Sequence, residues 1–446
     1  VIRNNSGLFS GGFRSGHPTL DNALVDSDND NIRVHHNMIT QNGGMNGAGG
    51  GVSLCTGSDN YQVTDNFICG NFALSDGGGI GHLGLSENGR IANNDILFNE
   101  SFNQGLTVHG GGILIAGGGP AAGQLTPGSG SVVIEGNRVL GNLAGAGDGG
   151  GIALVRVNGQ DVDGNRNQFN RWYGIDMFDN IIANNVSALA GGGIALRDVV
   201  KANIVHNTVA HNDSTATAGN AFSPGFPNQS NPQPAGIVSH AHSTELNAAV
   251  SRAGNRVPAG LKTTFANPRL ADSIIWQNRS FYFSGDPDAD PPLYTLLPDP
   301  DSPDYRDIAV IGAAGSLSPQ YSVLTSLTGF DGVDYTGSGN TDGDPMLADA
   351  YFNGSRNPTI SLPEPLFAAP AFDEGGNFIQ VRFGPLTLED KAARDTLYHL
   401  TTGSSAMNTG TSLNTEFPAL SDDFDGDVRV APVDIGADEY AAPPAP

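Results

Sequence analysis

The chain has 446 residues, 62 of them glycine, and a formal net charge of −25. The glycines do not recur at every third position, which excludes a collagen triple helix. No apolar run is long enough to form a membrane-spanning helix. Lysine occurs only at positions 201, 262 and 391. Because contacts to phosphate backbones need clustered cations, this acidic composition also argues against a nucleic-acid-binding protein.

A repeat of the form Asn-x-(Ile/Val)-x-x-Asn recurs through the first half of the chain. Most copies are followed by a triple glycine and a β-branched residue, as at residues 149–152, and the basic unit is 27–29 residues long. A further copy at residues 273–278 keeps only its second asparagine. The first asparagines of the six complete copies are Asn37, Asn66, Asn94, Asn137, Asn180 and Asn207. Such a period is typical of solenoids, in which each unit stacks on the next.

The apolar runs inside each unit are short, β-branched and alternating, which predicts strands rather than helices. Stacked units would bury a continuous core of Ile, Leu and Val, with parallel strands about 4.8 Å apart. Equivalent asparagines would then lie above one another and bond from rung to rung, since an amide both donates and accepts. The sequence therefore predicts an all-β fold, namely a single-stranded right-handed parallel β-helix with long loop insertions and a C-terminal cap. Leucine-rich, calcium-binding nonapeptide and propeller repeats fit less well, because their signature residues are missing.

The regularity of the repeat divides the chain into four parts. Residues 1–215 are predicted to form regular rungs, and residues 216–350 to continue the β-helix with long loops. Within the second part, residues 285–303 are rich in Asp and Pro and predict a loop. Residues 351–440 are expected to form the C-terminal rungs and the cap, and residues 441–446 a Pro-rich linker or tail.

The C-terminal part resembles bacterial right-handed parallel β-helix surface proteins with a pectin-lyase-like fold. G-N-T-D-G-D-P-M-L-A-D at residues 339–349 and Y-H-L-T-T-G-S-S-A at residues 398–406 are similar to segments of these proteins. D-G-D-V-R at residues 425–429 and D-I-G-A-D-E at residues 434–439 resemble their closing D-G-x-x-R … D-I-G-A-x-E motif. Ser405 and Asn408 depart from the pattern, which usually has Pro and Asp there. The resemblance implies an exported, modular protein of the cell surface.

We expect the closing motif to cover the last rung, because exposed strand edges would otherwise recruit other chains. The motif contains Arg429, Asp434 and Glu439. They could act as a carboxylate pair with an electrophilic arginine, but an ion-paired structural cap is the favoured interpretation.

The two cysteines, Cys55 and Cys69, are fourteen residues apart. Neither a haem-attachment motif nor a pair of zinc-binding C-x-x-C motifs is present. The cysteines are either a local disulfide or two unrelated small residues, and the disulfide is favoured because the chain otherwise resembles an extracytoplasmic protein.

Alternating carboxylates mark three candidate calcium sites, since Ca²⁺ takes six to eight oxygen ligands. None of them has the glycine and glutamate of an EF-hand loop, so solvated acidic loops are the alternative interpretation. No other cofactor is expected. The candidates are Asp26, Asp28 and Asp30, then Asp286, Asp288 and Asp290, and finally the acidic stretch at residues 422–427.

Two hypotheses for function remain. The favoured one is an extracellular or cell-surface scaffold or adhesion module within a larger protein or homo-oligomer, with a glycan or another surface protein as partner. In this hypothesis, Trp276 and the aromatic residues 281–283 could stack on sugars. The alternative is a polysaccharide-degrading enzyme, because this fold commonly carries such activities. Arg197, Lys201 and His206 could supply the base and the charge neutralisation of a uronate lyase, but the net charge of −25 repels anionic glycans. A glycoside hydrolase would instead need two opposed carboxylates.

Overall fold

In a computed structural model, the chain winds into a parallel β-helix whose rungs contribute strands to four sheets. The structure describes residues 1–17, 26–286, 288, 293–299, 305–329, 332–350, 394–413 and 415–440. We number the sheets in the order in which a rung passes through them. This architecture confirms the predicted fold class.

Each sheet contains one strand from nearly every rung, paired in register with the strands above and below it. Sheet 1 has eight strands: Phe13–Ser15, Val52–Cys55, Ile80–Leu83, Ile113–Ala116, Ile152–Val155, Ile194–Arg197, Ile237–His240 and Ile308–Ile311. Sheet 2 has seven: Arg33–His35, Gln62–Thr64, Gly89–Ala92, Val132–Glu135, Ile175–Phe178, Ala202–Val205 and Arg269–Ala271. Sheet 3 has nine: Ile2–Arg3, Met38–Thr40, Phe67–Cys69, Asp95–Leu97, Arg138–Leu140, Ile181–Ala183, Thr208–Ala210, Ile274–Trp276 and Val323–Leu324. Sheet 4 also has nine: Ser6–Gly7, Gly43–Gly44, Phe72–Ala73, Glu100–Ser101, Leu143–Ala144, Val186–Ser187, Asp213–Ser214, Arg279–Asp286 and Leu293–Pro298.

The helices lie outside this coil, in the connections between strands. Helix α1 spans Gln160–Gly164 and helix α2 spans Thr244–Ser251; both belong to insertions between sheets 1 and 2. They pack together around the buried side chain of Trp172. Short 3-10 segments occur at Phe169–Arg171, Gly219–Ala221, Ala259–Leu261, Thr336–Ser338 and Pro418–Ser421.

Columns of identical or similar apolar residues form the core. The central residue of each sheet 3 strand points inward and lies on its counterpart in the next rung, as Ile68 does on Ile96. The strands pair in parallel, so side chains at the same register position necessarily stack at about 4.8 Å. The column, fully buried except at its end, comprises Ile39, Ile68, Ile96, Val139, Ile182, Val209, Ile275 and Leu324.

The first asparagines of the repeat form a continuous ladder at the corner between sheets 2 and 3. The Asn66 side-chain Nδ2 donates to Asn94 Oδ1 at 3.0 Å and to the carbonyl oxygens of Val34 and Thr64 at 2.8 and 2.9 Å. The backbone N–H of Asn66 donates to the same Asn94 oxygen at 3.0 Å. The Asn66 side-chain oxygen accepts from the backbone and the amide of Asn37 at 2.9 and 3.2 Å, so both the oxygen and the nitrogen of the buried amide are bonded. The predicted ladder is confirmed, and it continues beyond Asn207 through Ser273 and Ser322 to Asn340.

The second asparagines form a second ladder at the corner between sheets 3 and 4. It bonds in the same way and is one rung longer at its N-terminal end, where Asn5 donates to Asn42. At the other end Asn278 donates to Asp307. Its members are Asn5, Asn42, Asn71, Asn99, Asn142, Asn185, Asn212, Asn278 and Asp307. The two ladders hold both edges of sheet 3.

Local backbone geometry explains the rest of the repeat. The residue before a ladder asparagine is left-handed, with φ near +57° at Asp65 and +52° at His206, and turns the chain from one sheet into the next. The triple glycine lies in the turn that leads into sheet 1. Gly149 has φ +73°, and a Cβ on Gly150 would lie 2.4 Å from the carbonyl oxygen of Val186 in the next rung. No other residue type fits so close an approach of two backbones.

Two local predictions are wrong. Residues 285–303 contain a strand rather than only a loop, because Arg279–Asp286 and Leu293–Pro298 pair as an antiparallel hairpin in which Phe283 stacks on Tyr294. Cys55 and Cys69 form no disulfide. The chain between them rounds a corner of the coil, so Cys55 lies on the outer face of sheet 1 and Cys69 on that of sheet 3.

The C-terminal segment lies along the side of the β-helix. We call residues 394–440 the strap, described except for residue 414. Its Leu397, Tyr398 and Ala437 pack on the outer face of sheet 3, against an apolar surface of Leu97, Leu140, Ile181, Ala183 and Ala210. The strap covers the flank of several rungs, as far as Ile274 and Val323 in the last two strands of sheet 3. That it also covers the end of the last rung stays a prediction. Residues 351–393 and 441–446, which belong to the predicted C-terminal parts, lie outside the described residues.

Replacing Asn142 by alanine is expected to destabilise the fold by about 3 kcal/mol, since buried donors left without acceptors cost roughly 1–3 kcal/mol each. Its side chain accepts from the Asn99 backbone and amide and donates to Ile96 and Asn185. Urea unfolding measures the loss. Asn220→Ala, at an exposed position of the 3-10 segment Gly219–Ala221, is the control and should change stability by less than about 0.5 kcal/mol. Equal effects of both changes would contradict a structural ladder.

The buried Tyr61–His82 pair makes stability depend on pH. Tyr61 Oη donates to His82 Nδ1 at 2.8 Å, and His82 Nε2 faces the carbonyl oxygens of Gly84 and Ser129 at 2.9 Å. Burial lowers the pKa of His82 to about 4. As the pH falls, the unfolded chain therefore takes up a proton on this histidine before the folded chain does. The free energy of unfolding that His82 contributes is fully present above pH 6.5 and is lost between pH 6.5 and pH 4, a loss of about 3 kcal/mol.

This pH dependence is tested by urea unfolding between pH 7 and pH 4. The Tyr61→Phe/His82→Leu double variant should lose less stability than the unmodified protein over that range. Identical slopes for the two proteins would show that His82 is not the cause.

Candidate functional site

A buried arginine anchors the strap to the β-helix. The Arg429 side chain is 1% exposed, and its Nη2 donates to Asp179 Oδ1 at 2.7 Å and to the backbone oxygens of Gly436 and Ala437 at 3.0 and 3.2 Å. Its Nη1 lies 3.5 Å from Glu439 Oε2. Burial raises the pKa of the Asp179 carboxyl, and the guanidinium opposes this rise. The favoured sequence interpretation, an ion-paired structural arginine, agrees with this geometry, although the principal partner is Asp179.

The left-handed residues that precede the ladder asparagines and the ladder serine Ser273 provide further anchors. Asp272 accepts from the Thr411 backbone and hydroxyl at 2.6 and 2.7 Å, and His206 is buried beside the strap backbone. At the other edge of sheet 3, the Tyr398 hydroxyl accepts from Asn184 Nδ2 at 2.6 Å and lies 3.1 Å from His211 Nδ1. The strap is thus held at both corners of sheet 3.

A groove of about 800 Å³ opens where the strap meets the early rungs. Its floor is a column of register-equivalent residues on the outer face of sheet 3, in the order Met38, Phe67, Asp95, Arg138. The opposite wall is formed by the strap. The wall residues are Arg394, Asp395, Phe424 and Asp425. The groove therefore runs along the axis of the β-helix, with an apolar end at the exposed Met38 and a charged end at Arg138.

Arg138 is the centre of the charged end. Its side chain is 11% exposed and lies 3.3 Å from Asp95, 3.2 Å from Asp395 and 3.8 Å from Asp425. Arg394 reaches the second oxygen of Asp95 at 3.0 Å. Each guanidinium also covers an aromatic ring, Arg138 that of Phe424 at 4.4 Å and Arg394 that of Phe67 at 4.6 Å. Charge pairing and ring stacking together fix the shape of this end of the groove.

The groove borders a cluster of metal-ligating side chains. His399 Nε2 lies 3.1 Å from Asp425, and its Nδ1 lies 3.4 Å from Asp438. Burial raises the pKa of Asp425, and it raises that of Asp438 to about 6. One nitrogen and two carboxylates within 4.8 Å of one another are a donor set that could hold a divalent cation.

The predicted calcium sites are only partly assembled. Asp26 and Asp30 lie with Asp59, which the sequence analysis missed, in a second cluster within 4.8 Å. Asp28 is exposed and bonds through its backbone to Asp26. Asp288 makes the same local turn with Asp286, and Asp290 lies outside the described residues. In the third stretch, Asp423 caps the turn by accepting from the backbones of Asp425 and Asp427 at 2.9 and 2.8 Å.

The predicted catalytic residues do not form one site. Arg197 is on the outer face of sheet 1, Lys201 is at the corner between sheets 1 and 2, and His206 is at the corner between sheets 2 and 3. Burial lowers the pKa of His206 well below its usual value, and the strap separates it from solvent. His206 therefore cannot act as a base on an extracellular polymer. Closeness in sequence was misleading because a ten-residue stretch of a rung rounds two corners.

Arg197 instead belongs to a cluster around Asp148. The buried Asp148 Oδ2 lies 3.0 Å from Arg197, 3.4 Å from His240 and 3.6 Å from His109. Despite its burial, the nearby histidines and Arg197 lower the pKa of Asp148, whereas burial lowers that of His240 to about 4. Asp148 Oδ1 also accepts from the Ala190 backbone of the next rung at 3.0 Å. The cluster joins successive rungs.

The aromatic residues proposed for sugar stacking have structural contacts. Trp276 packs against the strap, Phe281 is buried, and Phe283 stacks within the hairpin. The groove aromatics Phe67 and Phe424 were missed. Phe67 occupies an outward position of a repeat strand, and this position is apolar in several rungs. Apolar residues at an outward position indicate that another segment covers the outer face of sheet 3, so the sequence did contain a signal.

No protein-family model matches the chain, and no curated protein matches its sequence. No helix in the described part of the chain has the length and hydropathy of a segment that crosses a bilayer.

Arg429→Met is expected to destabilise the protein by about 3–5 kcal/mol, because it leaves the Asp179 carboxylate buried without its partner. Urea unfolding and protease cleavage of the strap measure the effect. The Arg429→Met/Asp179→Leu double variant should recover part of the loss. Arg166→Met, which removes an exposed pair with Asp163 at 2.7 Å, is the control and should cost less than about 1 kcal/mol. Equal losses at both arginines would contradict the anchor.

Proposed function

We propose that the chain is an exported scaffold or adhesion module that binds an extracellular glycan in the groove between sheet 3 and the strap. The groove carries this proposal, because it combines aromatic surface with charged hydrogen-bonding groups in one concave site. The two asparagine ladders support it, since they hold the floor of the groove on a rigid column. The resemblance of the closing motif to surface proteins supports the exported location.

One observation favours a glycoside hydrolase as the second candidate. Burial raises the pKa of Asp425, whereas Asp95 lies between two guanidinium groups in the same groove. Two carboxyl groups in different surroundings on opposite sides of one groove are the arrangement from which a glycoside hydrolase takes its acid and its base. The uronate lyase hypothesis has no comparable support, because its three candidate residues lie apart.

Binding and turnover on immobilised and soluble extracellular glycans separate these functions. We expect the protein to bind at least one glycan without releasing reducing ends or unsaturated uronates. Phe424→Ala should weaken binding at least tenfold. Phe417→Ala is the matched control, because Phe417 is also a strap phenylalanine under an arginine, Arg269 at 5.3 Å, but does not line the groove.

The outcomes are distinct. Release of reducing ends that Asp425→Asn abolishes would replace the adhesion module by a hydrolase. Failure to bind any glycan, or equal weakening by Phe424→Ala and Phe417→Ala, would contradict glycan binding in the groove.

A further inference from the structure

We infer that the groove takes a neutral, polyhydroxylated glycan and rejects uronates. This inference rests on the proposed function, and it names the chemical class of the ligand. It follows from three properties of the groove: the order of residues along its floor, the engagement of its arginines and its balance of charge.

The floor of the groove changes character along the axis of the β-helix. Met38, which is 48% exposed, provides an apolar surface at the open end, and the partly buried Phe67 follows it with one face of its ring under Arg394. Asp95 and Arg138 follow at the next two rungs in the same register. A chain of pyranose rings has apolar C–H faces and hydroxyl edges, so it can lie on the apolar surface and donate to the carboxylates beyond it.

The arginines of the groove are already engaged. Recognition of a sugar carboxylate requires a guanidinium or ammonium group that can turn towards it, usually in a bidentate pair. Arg138 contacts three carboxylates, and Arg394 contacts Asp95 at 3.0 Å while covering the Phe67 ring. A uronate carboxylate could bind these arginines only by displacing the carboxylates of the protein, and those ion pairs are at most partly exposed.

The groove also has an excess of negative charge. Four carboxylates line it, those of Asp65, Asp95, Asp395 and Asp425, against the two guanidinium groups of Arg138 and Arg394. The chain as a whole adds a net charge of −25. A polyanionic glycan is therefore repelled from the groove, whereas hydroxyl groups find acceptors there.

The test compares neutral oligosaccharides with their C6-oxidised counterparts, which differ only in the carboxylate. Titration calorimetry uses β-1,4-glucan, β-mannan and galactan oligosaccharides of equal length at low ionic strength, with a chelator present and again with added Ca²⁺. For the backbone that binds, the oxidised form should bind at least tenfold more weakly in both conditions, and rising salt should reduce the difference.

A charge-reversal variant tests whether the groove is responsible. Asp65→Lys places a cation at an exposed groove residue and should reduce the discrimination at least fivefold. Asp28→Lys is the matched control, because Asp28 is also an exposed aspartate with positive φ, +52° against +57°, but lies outside the groove. The control should leave the discrimination unchanged.

Each outcome bears on the inference. Equal or tighter binding of the oxidised form, with or without Ca²⁺, would overturn the inference and leave glycan binding intact. An equal effect of Asp65→Lys and Asp28→Lys would also overturn it, because discrimination would then come from the overall charge. Absence of binding by every neutral and oxidised glycan would refute the proposed function and the inference together.

Discussion

The stacking of one rung on the next in parallel register is the constraint on which this structure depends. Parallel pairing places identical positions above one another, so any polar side chain in the interior must bond to its own copies. Asparagine meets this requirement, because its oxygen accepts from the rung before and its Nδ2 donates to the rung after. Replacing one asparagine of a ladder lowers the free energy of unfolding, because the neighbouring asparagines are then left with buried donors and acceptors that have no partner. The ladders end in residues that can still accept a hydrogen bond, Asn340 in one and Asp307 in the other.

The strap solves a second problem that the coil itself creates. Sheet 3 carries an apolar column on its outer face as well as its inner face, from Leu97 through Leu140 and Ala183 to Ala210, so this flank needs a cover. The left-handed corner residues supply the polar contacts that fix the cover, with Asp179 bound to Arg429 and Asp272 to Thr411. The groove begins where that cover meets the charged positions Asp95 and Arg138. Fold and candidate site therefore share one origin, the outward positions of sheet 3.

A sequence prediction succeeded where it concerned contacts between equivalent residues of successive rungs. The ladder from Asn37 to Asn207 and the rung at Ile274–Trp276 follow from the repeat pattern alone, because every rung has the same environment. The disulfide between Cys55 and Cys69 was wrong because a short separation along the chain can still cross a corner between two sheets. The grouping of Arg197, Lys201 and His206 failed for the same reason. In the candidate site, Arg138 and Asp425 belong to motifs visible in the sequence, but nothing in those motifs pairs them.

The sequence by itself determined the coil: its strands, its turns and the asparagine ladders that hold them. These features repeat at a fixed spacing and depend on hydrogen bonds and packing between equivalent residues, so a periodic pattern contains all the necessary information. Only the tertiary structure decided where the strap lies and what the groove contains. The contact between Asp179 and Arg429 joins residues 250 positions apart that occur once each, and no periodicity or local propensity encodes such a pairing. Their meeting depends on the shape of the completed coil, because a single non-repeating segment packs against an apolar flank that only the stacked rungs form.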